Sequence, residues 1–341
     1  METIPLICLA IIILAFIFDY INGFHDTANA IATVVSTRVL SPKAAIVMAS
    51  TLNFVGALLG THVASTIGSG IVSMEAVNNC QMVIFSALAG AIIWNLFTWW
   101  LGLPSSSSHA LIGALIGSAV SYGLFYGVSW HSILKVMSIL EKVIAPLFLS
   151  PIAGFVAGFV LMLSLSWLLF KAHPLKIKNV FGKLQILSSA LMALSHGSND
   201  AQKSMGVITM ALFASGLIGT MDVPLWVKIS CALVMAAGTA AGGWKIIKTM
   251  GHKIFKLETI HGFAAETSAA VVIFTASHFG APISTTQVIS SSILGVGSTK
   301  RLSAVRWGIA RNIAVAWVLT IPAAAFLSAI AFIIFHYLNW V

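Results

Sequence analysis

The stretch Gly23-Phe24-His25-Asp26-Thr27-Ala28-Asn29-Ala30 decides how this chain is read. It sets a carboxylate, an imidazole and an amide in the middle of an apolar run at 4–36. It returns 174 residues later as Gly197-Ser198-Asn199-Asp200-Ala201-Gln202-Lys203-Ser204, inside a second apolar run at 184–216. A second motif repeats in step with it. Pro104-Ser105-Ser106-Ser107-Ser108-His109 comes back as Pro282-Ile283-Ser284-Thr285-Thr286-Gln287, 178 residues on. Two motifs recurring in the same order at nearly one offset indicate a duplicated chain. Both long runs exceed one straight span at roughly 20 residues per crossing, so the polar, glycine-bearing stretch inside each predicts a broken helix there.

Composition sets the medium. Of 341 residues 59% are hydrophobic and 8% charged, against about 25% charged in an average soluble domain. The mean hydropathy is +1.00. A soluble enzyme, a disordered regulator and a nucleic-acid binder are excluded on that ground, and the net charge of +9 points instead to basic cytoplasmic loops. Further apolar runs lie at 44–67, 82–101, 104–127 and 143–170, then at 227–244, 260–280, 282–299 and 312–338. The ninth crosses only if Pro282–Thr286 completes it as a broken-helix arm, because Val288–Gly297 is too short alone. The fold class is therefore all-α: a polytopic membrane protein of two repeats, 1–170 and 184–341, joined by a cytoplasmic linker at 171–183. Five nominal spans separate the copies, so the second crosses with opposite polarity, the inverted-repeat build of many secondary transporters.

The basic residues give the orientation. With the N-terminus outside, fourteen of the eighteen Lys and Arg lie inside, Lys135, Lys142 and Lys228 lie outside, and Lys203 stays in the membrane; the reverse placement inverts that bias. Both termini are expected outside a cytoplasmic membrane. The first residues lack a basic n-region, so Leu6–Phe18 reads as a retained span. Cys8, Cys80 and Cys231 are scattered without metal-ligand spacing and read as packing residues. Trp94, Trp99, Trp100 and Trp340 fit an aromatic belt, and His62, His131, His173, His252 and His336 fit the interface.

Chemistry is carried by the exceptions. An uncompensated carboxylate in a span costs roughly 2.5–3.5 kcal/mol on insertion scales. Asp26 and Asp200 recur at matching positions beside amide residues such as Asn29 and Asn199, which makes them cation or proton sites; capping, or chance exposure to a vestibule, is the plainer alternative. Glu266 is a third embedded acid, either a coupling group or the partner of an intramembrane donor. Asp19 is less specific and could be interfacial. The Pro-Ser/Thr motifs are natural anion sites, because free N–H groups and the positive dipole end lie at helix starts; ordinary capping and small-residue packing compete with that reading. Ser106, Ser107, Ser108, Ser284, Thr285 and Thr286 are the candidate oxyanion donors. His25, His109 and His196 could relay protons or act as supporting donors, while Asn53 and Asn95 divide between interhelical hydrogen bonding and the site.

At these residues the chain resembles the inorganic phosphate transporter family, whose members include bacterial low-affinity phosphate permeases and sodium–phosphate symporters. The two Gly-x-Asn-Asp-type motifs and Gly102-Leu103-Pro104-Ser105-Ser106-Ser107-Ser108-His109, with its copy Gly280–Gln287, carry the resemblance over nearly the whole chain. It implies an inverted-repeat carrier, in many members a homodimer, that moves inorganic phosphate, free or as a metal–phosphate complex, with a coupling cation, H+ or Na+, and no other cofactor. The motif aspartates would serve cations, the Ser/Thr arms phosphate, and Glu266 would match a functional acid. Three departures stand out: His25 precedes the first aspartate, Gln287 replaces a histidine, and Lys203 occupies the place of Asn29. An ammonium at i,i+3 from Asp200 can take the place of one bound cation, which favours proton-linked import over sodium coupling. Sulfate is the rival substrate. An intramembrane hydrolase using Ser108 and His109 is a rival of another class, but adjacent helical residues point about 100° apart. A passive channel would have little use for duplicated acids.

Overall fold

The computed structural model describes residues 5–73, 76–77 and 80–338, and among these it is built of helices, with one isolated bridge between Val72 and Leu134. Helix α1 runs Leu6–Ser36 and is followed by α2 (Pro42–Ala57), α3 (His62–Gly70), α4 (Cys80–Leu101) and α5 (Ser107–Tyr126). Two single turns, α6 (Trp130–Ile133) and α7 (Val136–Ile139), lead through a π-turn into α8 (Ala145–Leu168). The second half begins with α9 (Pro174–Ala214), then α10 (Leu225–Ala241), α11 (Trp244–Lys248), α12 (Thr259–His278), α13 (Thr285–Lys300) and α14 (Trp307–Tyr337).

Each half repeats one order: a long helix carrying the acidic motif, a bent pair, a straight helix, a helix opened by the Pro-Ser/Thr motif, and a long outer helix. The bent pairs are α2/α3, at 67°, and α10 with α11 and its π-turn extension to Lys253, at 60°. Gly242 makes the second bend possible, since its φ of 72° lies where a side chain is disfavoured. The halves also exchange partners. α1 packs on α10 and α9 on α2, while α5 packs on α14 and α13 on α8. α1 and α9 are antiparallel: Cys8 meets the Ala211 carbonyl near one end, and Ser189 donates to the Ala30 carbonyl near the other.

Six described helices are long and apolar enough to cross a membrane, or eight spans if each bent pair counts as one. The expected runs at 184–216 and 282–299 fall outside that set. α9 carries Asp200, Lys203 and several amides, and α13, at 16 residues, begins only at Thr285. Residues 280–284 are not helical, so the Pro282 arm is an extended approach to the helix start.

One expectation is corrected. The breaks predicted within 4–36 and 184–216 are absent, because α1 and α9 run unbroken through both motifs. The polar side chains find partners on neighbouring helices and the glycines admit a close neighbour, so the backbone keeps its own ladder. A Cβ at Gly23 would lie 2.6 Å from the Met235 carbonyl of α10, and one at Gly197 would lie 2.2 Å from the Asn53 carbonyl of α2. The breaks fall instead in the bent pairs. Residues 174–183 of the expected linker form the first turns of α9, opened by Pro174 at a favoured helix start.

Two apolar cores form. One gathers Cys8–Phe18 of α1 with α3, α4, α5, the 201–212 end of α9 and α10. The other gathers Ala28–Val34 of α1 with the 181–193 part of α9, α12 and α13. Both motifs sit between these cores, near the middle of α1 and α9. The three cysteines are buried and free, as packing residues should be. Trp94 is partly buried and donates to Thr320, Trp100 is exposed, and Trp340 lies outside the described residues. Of the histidines expected at the interface, His62, His131, His173 and His252 are exposed and His336 is partly so.

Candidate functional site

Four helices converge between the cores: the middles of α1 and α9, and the N-termini of α5 and α13. Asp26 comes from α1. Its Oδ2 accepts from Ser107 at 3.2 Å and its Oδ1 from Thr286 at 3.2 Å, so it joins the opening turns of both Ser/Thr helices. Asp200 comes from α9, accepts from Thr285 at 3.3 Å, and holds the Lys203 ammonium at 2.6 Å. Asn29 ties the two acids together, its amide donating to Thr285 at 3.2 Å and Thr286 at 3.0 Å. All these groups are no more than 2% exposed.

A histidine supports each carboxylate. His25 Nδ1 lies 2.8 Å from Asp26, and its Nε2 lies 3.1 Å from Thr98. His196 Nε2 stands 3.3 Å from Asp200, and its Nδ1 3.2 Å from Asn53, whose amide donates to Thr239 at 2.8 Å. Asn53 therefore both joins helices and orients a site histidine. Suitably placed ligand atoms of Asp26, His196 and Asp200 all lie within 4.8 Å of one another, a cluster able to grip a cation that the residue spacing did not reveal.

The hydroxyls divide by role. Ser106 and Ser284 are N-caps, accepting from the backbone N–H of His109 and Gln287, each at 3.2 Å. Ser107, Thr285 and Thr286 reach the carboxylates, and Ser108 donates to the Ile283 carbonyl at 2.9 Å, joining the two Pro-Ser/Thr arms. Asn199 turns away, donating to Ser277 at 2.9 Å and to the Ala281 carbonyl at 3.3 Å. His109 Nδ1, Gln287 Oε1 and both side-chain amide atoms of Asn95 have no hydrogen-bond partner among the described residues. Ser108 and His109 form no nucleophile–base pair. Ser105, His25 and Asp26 do fall in line, but Ser105 donates to Thr98 at 2.8 Å and stands 3.4 Å from the imidazole.

Glu266 is brought elsewhere. Thr33 and Ser188 each donate to one of its two oxygens, and Gln185 donates at 3.4 Å. This cluster lies about two helical turns along α1 from Asp26, inside the second core. Asp19 is fully buried. Residue-by-residue reading passed over Thr33, Thr98, Gln185, Ser188 and Thr239. A signal existed for Thr33, since Asp19, Asn22, Asp26, Asn29 and Thr33 follow one another at three- and four-residue steps, one continuous polar stripe on α1.

Electrostatically the site is mixed. Two carboxylates and one ammonium leave it a net negative charge when the histidines are neutral, yet two helix N-termini direct positive dipole ends into it. An anion alone meets Asp26; a cation alone meets the dipoles. Groups of both signs therefore meet in one buried polar layer of a protein with several helices long and apolar enough to cross a membrane, which defines the class as a multi-pass membrane protein.

Comparison with known proteins agrees. Residues 22–328 match the phosphate transporter family, and the chain belongs to that family; it is a transporter and not an enzyme. It is 47% identical to a protein of Bacillus subtilis (strain 168) named a probable low-affinity inorganic phosphate transporter, over 98% of this chain and 99% of the other. A protein of the same name from Rhizobium meliloti (strain 1021) is 47% identical over 94% of each chain. Among solved structures, the sodium-dependent phosphate transporter superposes with a TM-score of 0.85 at 25% identity, covering 98% of this chain and all of the other.

Proposed function

We propose that this protein imports inorganic phosphate across the cytoplasmic membrane by proton symport. The observation that carries the reading is the meeting of Asp26 and Asp200 with Ser107, Thr285 and Thr286 at two helix N-termini. Phosphate would displace those hydroxyls from the carboxylates and take their hydrogens, together with the free N–H groups of α5 and α13. The carboxylates, losing their donors, would then need a proton or cation as partner. Binding of either charge thereby favours binding of the other, which is the thermodynamic basis of coupling. The partner-swapped, antiparallel arrangement of the halves supports inverted repeats rocking about this site.

The Lys203–Asp200 contact at 2.6 Å supports protons over sodium. An ammonium already fills the cation position beside Asp200, leaving Asp26 with His25 as the mobile pair. Sodium coupling is the second reading, favoured by the likeness to a sodium-dependent transporter and by the ligand cluster of Asp26, His196 and Asp200. Sulfate has the same tetrahedral oxygens and is the competing substrate; a metal–phosphate complex would meet the same two carboxylates. Uptake of labelled phosphate and sulfate by reconstituted protein, under separate proton and sodium gradients, tests all of this. Sulfate uptake equal to phosphate uptake would refute the substrate assignment.

A further inference from the structure

A second group of buried polar atoms lies apart from the phosphate site. Asp19 is fully buried on α1, and neither of its carboxylate oxygens has a hydrogen-bond partner among the described residues. Asn22, one turn further along the same face, is also fully buried with both amide atoms unpartnered. Across from them on α9, Ser204 is fully buried, its hydroxyl faces Asp19, and at ordinary hydrogen-bond distance it too has no partner among the described residues. Four oxygens thus stand unused in one small region, one of them from an amide, one from a hydroxyl and two from a carboxylate.

The charges around Asp19 do not neutralise it. From α9 it is faced by Lys203 and Asp200, but these are paired with each other at 2.6 Å. From α10 it is faced by Cys231. From α4 no Asp, Glu, Lys, Arg or His is available. An ionised carboxylate buried without a donor or counter-ion is far costlier than a paired one. Such a group persists in a span when it carries something that cancels its charge.

Position adds the second argument. Asp19 is seven residues from Asp26, about 10 Å along the helix axis, on the opposite side from Thr33 and Glu266. The three acid stations therefore follow one seam between α1 and α9, with the phosphate site in the middle. Neither outlying acid is duplicated. By the 174-residue offset the counterpart of Asp19 is Ala193, and by the 178-residue offset that of Glu266 is Leu88. The repeat supplies the central pair, and each end of the seam carries an acid of its own.

We propose that Asp19, with Asn22 and Ser204, is a further site for the coupling cation, a station it occupies between the water at that end of the seam and the Asp26–Asp200 centre. This rests on the reading of the chain as a cation-coupled carrier. The ligand is a proton on the carboxyl or a sodium ion among the four oxygens, two sources of one positive charge. No hydrogen bond among the described residues joins these three side chains to the Ser/Thr arms, so the site acts on coupling and not on phosphate recognition.

The test uses the full chain in proteoliposomes, with wild type, Asp19→Asn and Asp19→Glu compared in two assays. One measures phosphate accumulation driven by an imposed proton or sodium gradient, each applied separately. The other measures phosphate self-exchange at equal pH and sodium on both sides. Asp19→Asn should cut accumulation by about tenfold or more while exchange stays within about threefold, the size of an ordinary coupling free energy. Asp19→Glu should restore most of the accumulation, since it returns a titratable carboxyl. Ser204→Ala, which leaves the carboxyl in place, should raise the concentration of driving cation needed for half-maximal uptake several-fold. Wild-type accumulation in Asp19→Asn, failure of Asp19→Glu to restore it, or joint loss of exchange and accumulation in Asp19→Asn would each overturn the proposal. If sodium alone drives the wild type, proton coupling fails but the Asp19 site stands, provided Asp19→Asn loses that sodium-driven accumulation. If neither gradient drives the wild type, the carrier reading itself fails.

Discussion

Lys203 is where the two copies of the acidic motif part company. Asn29, its counterpart, reaches over to Thr285 and Thr286; Lys203 bends back to Asp200. Replacing Lys203 with Asn should leave Asp200 in want of a cation, so proton-driven uptake should fall by about tenfold or more and sodium should partly restore it. Uptake assays with and without sodium check this, and an unchanged proton-driven rate would remove Lys203 from the coupling scheme. Asp26→Asn and Asp200→Asn should each abolish uptake while the purified proteins keep their helix content by circular dichroism. Ser106 and Ser284 separate from their neighbours at this scale. As N-caps they stabilise helix starts, so Ser284→Ala should cost about 1 kcal/mol, seen as a lowered unfolding midpoint in detergent. Phosphate affinity should change less than in Thr286→Ala, whose hydroxyl reaches Asp26.

At the scale of the element, the close approach of helices is set by glycine. Gly197 has the Asn53 carbonyl 2.2 Å from where a Cβ would sit, whereas nothing lies within 4 Å of that point at Gly182 on the same helix. Gly197→Ala should therefore push α9 from α2 and sharply reduce the yield of folded protein, while Gly182→Ala should be neutral or stabilising by up to about 1 kcal/mol through helix propensity. Expression and thermal stability of the pair measure the contrast. The elements also show where sequence reasoning reached and where it stopped. Most apolar runs became helices within a few residues of their expected ends, since burial in lipid needs little beyond length and hydropathy. The acidic pair and the Ser/Thr starts were legible because duplication marked them twice. The broken helices were misplaced because a polar motif in a span looks like an interruption in one dimension. In three dimensions Thr98, Thr239 and the Ser/Thr arms supply the partners that keep α1 and α9 helical. The separation of Glu266 from Asp26 was not legible, since it depends on α12 packing against the Gln185–Ser188 turn of α9.

At the scale of the molecule, two apolar cores flank one polar layer, and a line of acids from Asp19 through Asp26 to Glu266 crosses that layer along antiparallel α1 and α9. Glu266 lies off the arms, so Glu266→Gln should lower the maximal rate of accumulation several-fold and leave the phosphate concentration for half-maximal uptake nearly unchanged. Kinetics in proteoliposomes read that split, and a changed affinity with an unchanged rate would assign Glu266 to phosphate instead. Orientation is testable too, because all three native cysteines are buried. A cysteine placed at Lys176 should be shielded in intact cells from an impermeant maleimide, and one placed at Asp222 should be labelled, if the basic loops face inward.

The claim on which the rest depends is that phosphate and a proton are held together between the cores and move together. Labelled phosphate uptake into proteoliposomes under a pH gradient, without sodium, measures this directly. Proton-coupled import requires accumulation above the external concentration that collapses when an uncoupler is added and vanishes in Asp26→Asn. Uptake that only equilibrates, or that ignores the pH gradient and follows sodium alone, would contradict it.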